Sequence, residues 1–154
     1  MAIEFRNNGV SDSLTNSISP TIFYSMLERE IALKLRKEVQ LSIVTVEIPG
    51  ANNDRQMFIA NSGLKLCLRK GDFYSRIAVR GFWVCLRGNL KAAELAGARY
   101  MEKIAEVSRE DRRHYGPESE GGVRRITARI KVFEHELDES LLEFLDRIDR
   151  QYFK

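Results

Sequence analysis

The stretch Arg69–Leu86, RKGDFYSRIAVRGFWVCL, reads as two short strands joined by a tight turn at Val79-Arg80-Gly81. Strands joined by so short a turn run antiparallel, because parallel neighbours need a crossover of a dozen residues or more. The hairpin sits in the middle of a chain whose other segments alternate between helical and strand patterns. Ser19-Pro20 is a helix start, with Ser as cap and Pro at the first helical position. Ile22, Phe23, Met26, Leu27 and Ile31 then follow helical spacing to about Lys37. QLSIVTVEI, Gln40 to Ile48, is β-branched and largely apolar and reads as a buried central strand. PGANND, Pro49 to Asp54, breaks the chain, and a helix carrying Met57, Phe58, Leu64 and Leu68 leads into the hairpin.

After the hairpin, Leu90–Val107 is a helix with a small-residue face that suits close approach to a sheet. Ser108–Gly122 is charged, contains glycine and lacks periodicity, so it reads as a long exposed loop. In Val123–Phe133, Ile126, Ala128, Ile130 and Val132 alternate with Arg125, Thr127, Arg129 and Lys131, which predicts a strand with one buried and one wet face. Asp138–Phe153 closes the chain as a helix capped by Asp138. The order α-β-α-β-β-α-β-α predicts an α+β fold, with helices packed on a mainly antiparallel central sheet. Residues 1–18, polar and rich in Asn, Ser and Gly, read as a mobile segment ahead of a single domain over 19–154.

Composition excludes several function classes. A length of 154 residues suits one domain. The net charge of +3, from 25 basic and 22 acidic side chains, is too small to argue for nucleic acid. No apolar run approaches a membrane span, and the start lacks the apolar core of a signal peptide. Cys67 and Cys85 form no redox or metal motif and read as reduced core residues of a cytoplasmic protein. His114 and His135 lack ligand spacing, so no metal and no cofactor are expected. Trp83 reads as packing. The Arg124-Arg125-Arg129-Lys131 stripe reads as a solvated strand face, and Asp146 and Asp149 as exposed helix acids.

Several segments, in order, resemble the GGDEF domain of diguanylate cyclases over nearly the whole chain. DSLTNSISPTIF, Asp12–Phe23, resembles the family's opening D-x-L-T-G-L-x-N-R-x-x-F, with Asp12, Leu14, Thr15 and Phe23 matching. The hairpin resembles R-x-x-D-x-x-x-R-Y-G-G-D-E-F-x-x-x-L, with Arg69, Asp72, Arg76, Phe82 and Leu86 in register. LSIVTVEI, RITARIKV and LLEFLD resemble the family's D-I-D strand, its later strand and the opening of its last helix. The resemblance implies a nucleotide-cyclase-like, ferredoxin-like core. Family cyclases join two GTP molecules using divalent metal held by acids on the D-I-D strand and at the hairpin tip.

The catalytic pattern departs from the family. Of the strand acids Glu47 remains, and Pro49 stands at the second acid position. The tip reads AVRGF, Ala78 to Phe82. Ala78 and Val79 replace the glycines that let backbone approach phosphate, Arg80 replaces the metal-binding acid, and Gly81 replaces the catalytic glutamate. The loop after Glu47 is shortened, with Asp54 standing for the last Asp of the family's loop motif. The expectation is a domain without cyclase activity.

The family's inhibitory motif R-x-x-D persists as Arg69 and Asp72. In the family this motif binds the product cyclic di-GMP together with a second arginine, near which Arg99 stands. Arginine forks and a carboxylate suit the edges of guanine. The bland reading, a helix-terminal charge and a turn residue, stays beside it. The resemblance therefore implies a non-enzymatic signalling domain that receives cyclic di-GMP. The alternative is a module that binds another GGDEF or signalling protein, or a second copy of itself, without nucleotide. A remodelled enzyme acting on nucleotides is a third reading, against which the poverty of paired acids argues. Neither nucleic acid nor membrane is expected as a partner.

Overall fold

The computed structural model describes residues 3–115 and 126–152. Eight elements follow in the expected order. They are α1 (Pro20–Lys37), β1 (Leu41–Glu47), α2 (Asp54–Cys67), β2 (Phe73–Ala78), β3 (Gly81–Arg87), α3 (Leu90–Tyr115), β4 (Arg129–Glu134) and α4 (Leu141–Tyr152). The sheet order is β2-β3-β1-β4 and every pairing is antiparallel. The apolar β1 is thus central, flanked by the hairpin on one side and β4 on the other.

Alternation along β1 divides its side chains between two cores. Val44 and Val46 join Phe82 and Val84 of β3 under α2 and α3, where Met57, Leu64, Ala96 and Tyr100 are buried. Leu41 and Ile43 join Trp83, Cys85 and Phe133 on the opposite face, under Phe23, Leu27 and Ile31 of α1 and Phe144 and Ile148 of α4. Fully burying a Val, Leu, Ile, Phe or Met side chain stabilises by about 1.5–3 kcal/mol. Trp83 is a packing residue, with Phe23 and Tyr24 set edge-on to it at 6.5 and 6.4 Å. The small residues of α3 permit close approach: a Cβ on Gly97 would lie 2.7 Å from Ile130 Cγ2 of β4.

The local signals act as read in α1. Ser19 Oγ accepts from the Ile22 amide, Pro20 takes the first turn, and Lys34, Arg36 and Lys37 lie at the negative end of the helix dipole.

Four expectations need correction. Helix α3 continues through Ser108–Tyr115, where a loop was expected. Tertiary contacts hold this polar turn: Ser108 is buried and accepts from the Ile126 amide at 3.2 Å, and Asp111 pairs with Arg55 of α2 at 2.8 Å. The remainder of that loop and Val123–Arg125 of the strand lie outside the described residues. The supposedly wet face of β4 is partly covered, since Phe133 is buried beside Phe144. Helix α4 begins at Leu141 and its cap is Ser140, which exchanges hydrogen bonds with Glu143, whereas Asp138 precedes the helix in a left-handed conformation. Phe153 lies outside the described residues.

The fourth correction concerns the start of the chain. Residues 3–18 are folded onto the domain. Asn7, Asn8 and Asp12 accept backbone amides two or three residues on, forming tight turns. Ile18 bridges to Ser75 of β2, and Asp12, Thr15 and Ser17 are buried.

Candidate functional site

The two ends of the β2–β3 hairpin present different chemistry. At its tip, Ala78 pairs with Gly81 and the turn is Val79-Arg80. The Ile48 amide donates to Arg80 O at 2.8 Å, so the tip is stitched to the end of β1. The Arg80 side chain folds onto the β1–α2 loop, where its Nε donates to Ala51 O at 2.6 Å. Glu47 pairs with Arg129 across the β1–β4 ladder at 3.5 Å. Asp54, first in α2, accepts the Glu4 amide at 2.7 Å. Pro49 is exposed and offers no side-chain oxygen, Gly81 has no side chain, and Phe82 is a core residue. Register does bring Glu47 opposite Gly81. The donor set beside it is one paired carboxylate and a guanidinium, which does not fit a divalent cation. Among the described residues, no group of three or more His, Cys, Asp or Glu side chains is arranged to hold a metal.

Behind the tip lies a buried ion pair. Arg76 is 1% exposed and Asp12 5%. Arg76 Nη1 donates to both Asp12 oxygens at 3.3–3.4 Å, and its Nε and Nη2 donate to Val79 O at 3.2 and 2.8 Å. The guanidinium also stacks on Phe5, 5.0 Å from the ring centre. One arginine thus ties the turn to the N-terminal segment. Alongside, the Tyr74 hydroxyl donates to Asn61 Oδ1 at 2.7 Å, and burial holds its pKa up at about 12.

The base of the hairpin is open. Arg69-Lys70-Gly71-Asp72 forms a β-turn: the Asp72 amide donates to Arg69 O at 3.0 Å and Gly71 takes φ +98°. A positive φ at the third turn position is what glycine supplies without strain. Asp72 Oδ2 accepts the Arg69 amide at 2.9 Å, so the carboxylate also holds the turn. The turn directs Arg69 and Asp72 towards α3, where Arg99 completes the expected trio. The three line one pocket of about 150 Å³ with Leu86, Arg87, Ala92, Leu95 and Ala96. Arg69 and Arg99 also line a neighbouring cavity of about 540 Å³, with Cys67 and Lys103. Neither Arg69 nor Arg99 makes a side-chain ion pair among the described residues. Burial pushes the Cys67 thiol and the Tyr100 phenol up, so neither is an anion competing for these cations.

Sequence reasoning missed Arg87. It follows Leu86 at the end of β3, and counting the register out from the turn puts it beyond the Phe73–Cys85 pair, level with the Arg-x-x-Asp turn.

Solved structures give the fold its class. The GGDEF domain of DgcB from Caulobacter crescentus, in complex with c-di-GMP, superposes with TM-score 0.71 at 16% identity over 97% of this chain and 91% of that one. The active GGEEF domain of a diguanylate cyclase from Vibrio cholerae gives 0.70 at 14% identity, with 88% of each chain covered. Diguanylate cyclase SiaD from Pseudomonas aeruginosa, in complex with its activator SiaC, gives 0.72 at 18% identity over 91% of this chain and 55% of that one. No protein-family model and no curated protein matches the sequence. The chain therefore has the GGDEF-domain fold, four helices on a four-stranded antiparallel sheet. Among the described residues no helix is long and apolar enough to cross a membrane.

Proposed function

We propose that this chain is a non-catalytic GGDEF-like signalling domain of the cytoplasm, a receptor that binds cyclic di-GMP at the base of its hairpin. The observation that carries the reading is the pairing state of Arg69 and Arg99: two guanidinium groups share a pocket with Asp72 and have no carboxylate partner among the described residues. Unpaired arginine forks suit phosphodiester oxygens and the O6/N7 edge of guanine, and a carboxylate suits guanine N–H donors. The like-folded DgcB domain is solved in complex with c-di-GMP.

The absence of catalysis is inferred from the other end of the hairpin. Arg80 is pinned to Ala51 O, Glu47 is paired with Arg129, and Gly81 and Pro49 supply no carboxylate. Calorimetric titration of cyclic di-GMP into the purified protein tests the receptor reading, with saturable heat expected. An absence of heat up to about 0.1 mM ligand, a range that covers affinities tighter than about −5.5 kcal/mol, removes it.

The second reading is a protein-interaction module. It is favoured by Leu137 and Leu142, 79% and 77% exposed around the start of α4, and by the SiaD–SiaC complex as a case of a like-folded cyclase bound by another protein.

A further inference from the structure

We propose that Arg87 is a third cationic contact for the cyclic dinucleotide, and that Glu30 of α1 competes with the ligand for it. This rests on the receptor reading above and assigns that site a control.

Arg87 is the last residue of β3 and lines the same pocket as Arg69, Asp72 and Arg99. Its guanidinium is turned towards α1. Nε donates to Glu30 Oε2 and Nη2 to Glu30 Oε1, both at 2.9 Å, in a two-point fork. The Arg87 side chain is 53% exposed and that of Glu30 19%. An ion pair this open is weakly held and screened by salt. The free side chain also carries more donors than Glu30 uses.

A cyclic purine dinucleotide carries two phosphodiester charges. With Arg87 held by Glu30, Arg69 and Arg99 face it together with Asp72. With Arg87 turned inward, a third fork meets the second phosphodiester. The ligand and Glu30 then present the same kind of group, a two-oxygen anion, to one guanidinium, and occupancy by one excludes the other. Binding frees Glu30 on α1, beside the groove lined by Met26, Arg29, Leu33 and Arg36. By linkage, any basic partner that engages Glu30 tightens ligand binding by the factor the ligand confers on that partner.

The experiment is calorimetry with cyclic di-GMP at one fixed salt concentration, on wild type, Glu30→Gln, Arg87→Ala, the double variant and Arg69→Ala. Glu30→Gln keeps the side-chain shape and removes the competing charge. It should tighten binding about two- to fivefold. Arg87→Ala should weaken binding about fivefold or more. In the Arg87→Ala background, Glu30→Gln should change nothing, because the competition no longer exists. A clasp that merely braces the fold gives another pattern: Glu30→Gln and Arg87→Ala lower the melting temperature alike and leave affinity alone, which overturns the proposal. So does Glu30→Gln binding more weakly than wild type. If Arg69→Ala abolishes binding while the Glu30 and Arg87 variants match wild type, the receptor reading stands and this one falls. If wild type itself does not bind, both fall.

Discussion

The hairpin has two ends that the sequence treats differently. At the tip, each charged side chain has an internal partner: Arg80 bonds Ala51 O, Glu47 pairs with Arg129, and Arg76 behind them is sealed against Asp12 and Val79 O. At the base, Arg69 and Arg99 have no carboxylate partner among the described residues, and the half-exposed Arg87 is paired with the largely covered Glu30. Both ends carry arginines, so composition does not separate them. Their hydrogen-bond accounts do. Arg76, bonded inside the fold through Nε, Nη1 and Nη2, is structural and Arg80 is tethered through Nε, whereas an arginine left facing a pocket has binding capacity unspent. In this fold the tip's arginines are tied back to the chain, whereas Arg69 and Arg99 at the base face a pocket.

The comparison can be broken most violently at Arg76. Removing one partner of a buried ion pair leaves an uncompensated charge and costs about 3–5 kcal/mol. Asp12→Ala should therefore lower the urea midpoint sharply, by about that free energy, because it strands a guanidinium that is 1% exposed. The double change Asp12→Ala with Arg76→Met should recover part of the loss. A shift below 1 kcal/mol for Asp12→Ala would mean that the N-terminal segment is not part of the folded unit.

The next effect belongs to the base. Arg69→Ala should weaken cyclic di-GMP binding by about five- to a hundredfold, the range of a lost bidentate contact at about 1–3 kcal/mol. Arg69→Lys should lose nearly as much, because an ammonium lacks the fork. Arg80→Ala, at the closed tip, should bind as wild type does. Equal affinities for wild type and Arg69→Ala would move the ligand elsewhere and erase the contrast between the two ends.

Much of this contrast was legible in the sequence. The hairpin declares itself through a tight turn at Val79-Arg80-Gly81 between two strand-like runs, which the structure narrows to Val79-Arg80, and Arg69, Asp72 and Arg76 fall at fixed offsets along it. The sequence did not show that Asp12 and Arg76, each matched to a separate motif, are partners across 64 positions. Nor did it show Glu30 holding Arg87, because the contact joins a helix to a strand end 57 residues away. Residues 3–18 read as mobile because Asn, Ser and Gly dominate. Those residue types also build side-chain-to-backbone turns, and only tertiary contacts such as Ser75 Oγ donating to Ile18 O at 2.7 Å decide which they do. The same holds for Ser108–Tyr115, a charged sequence kept helical by one buried serine and one cross-helix ion pair. At α4 the sequence offers Asp138 as the cap, but Ser140, of the same preferred class two residues on, takes the role, and spacing alone does not choose between them.

A smaller effect tests whether acid sensitivity belongs to either end. His135, buried between α1 and α4, lies far along the chain from both. Its Nδ1 accepts from Lys34 Nζ at 3.0 Å and its Nε2 donates to Glu139 O at 2.6 Å. A neutral ring satisfies both partners. Burial lowers its pKa from the ordinary 6.5; the Glu139 carbonyl opposes that shift, and the Lys34 ammonium adds to it. Arg147 and the Glu139 carboxylate, hydrogen-bonded to each other, complete its charged surroundings. Between the lowered folded value and about 6.5 the unfolded chain binds more protons, so stability rises with pH there and is lost as pH falls. His135→Gln, which does not titrate, should flatten the stability profile between about pH 7 and 5. A profile of unchanged slope in that variant would place the acid-sensitive group elsewhere.

The smallest expected effect is a null, and it concerns the tip directly. If the Arg80 charge alone kept metal out, Arg80→Asp would restore a carboxylate at the turn and with it some turnover of GTP. Three things argue against recovery. Gly81 supplies no acid at the neighbouring position. Pro49 supplies none just past the strand, leaving Glu47 as the single carboxylate there, with the open Arg129 guanidinium 3.5 Å away. Ala78 and Val79 put side chains where phosphate needs bare backbone, and Val79 is 37% exposed at the turn. One new acid does not assemble a cradle that needs several oxygen ligands on one cation. Wild type and Arg80→Asp, each incubated with GTP and magnesium or manganese, should therefore make no cyclic di-GMP above a protein-free blank. Product from the wild type would mean that the tip is not closed. Product from Arg80→Asp alone would show that a single guanidinium separates the two ends of the hairpin, and that the remaining losses at the tip are tolerable.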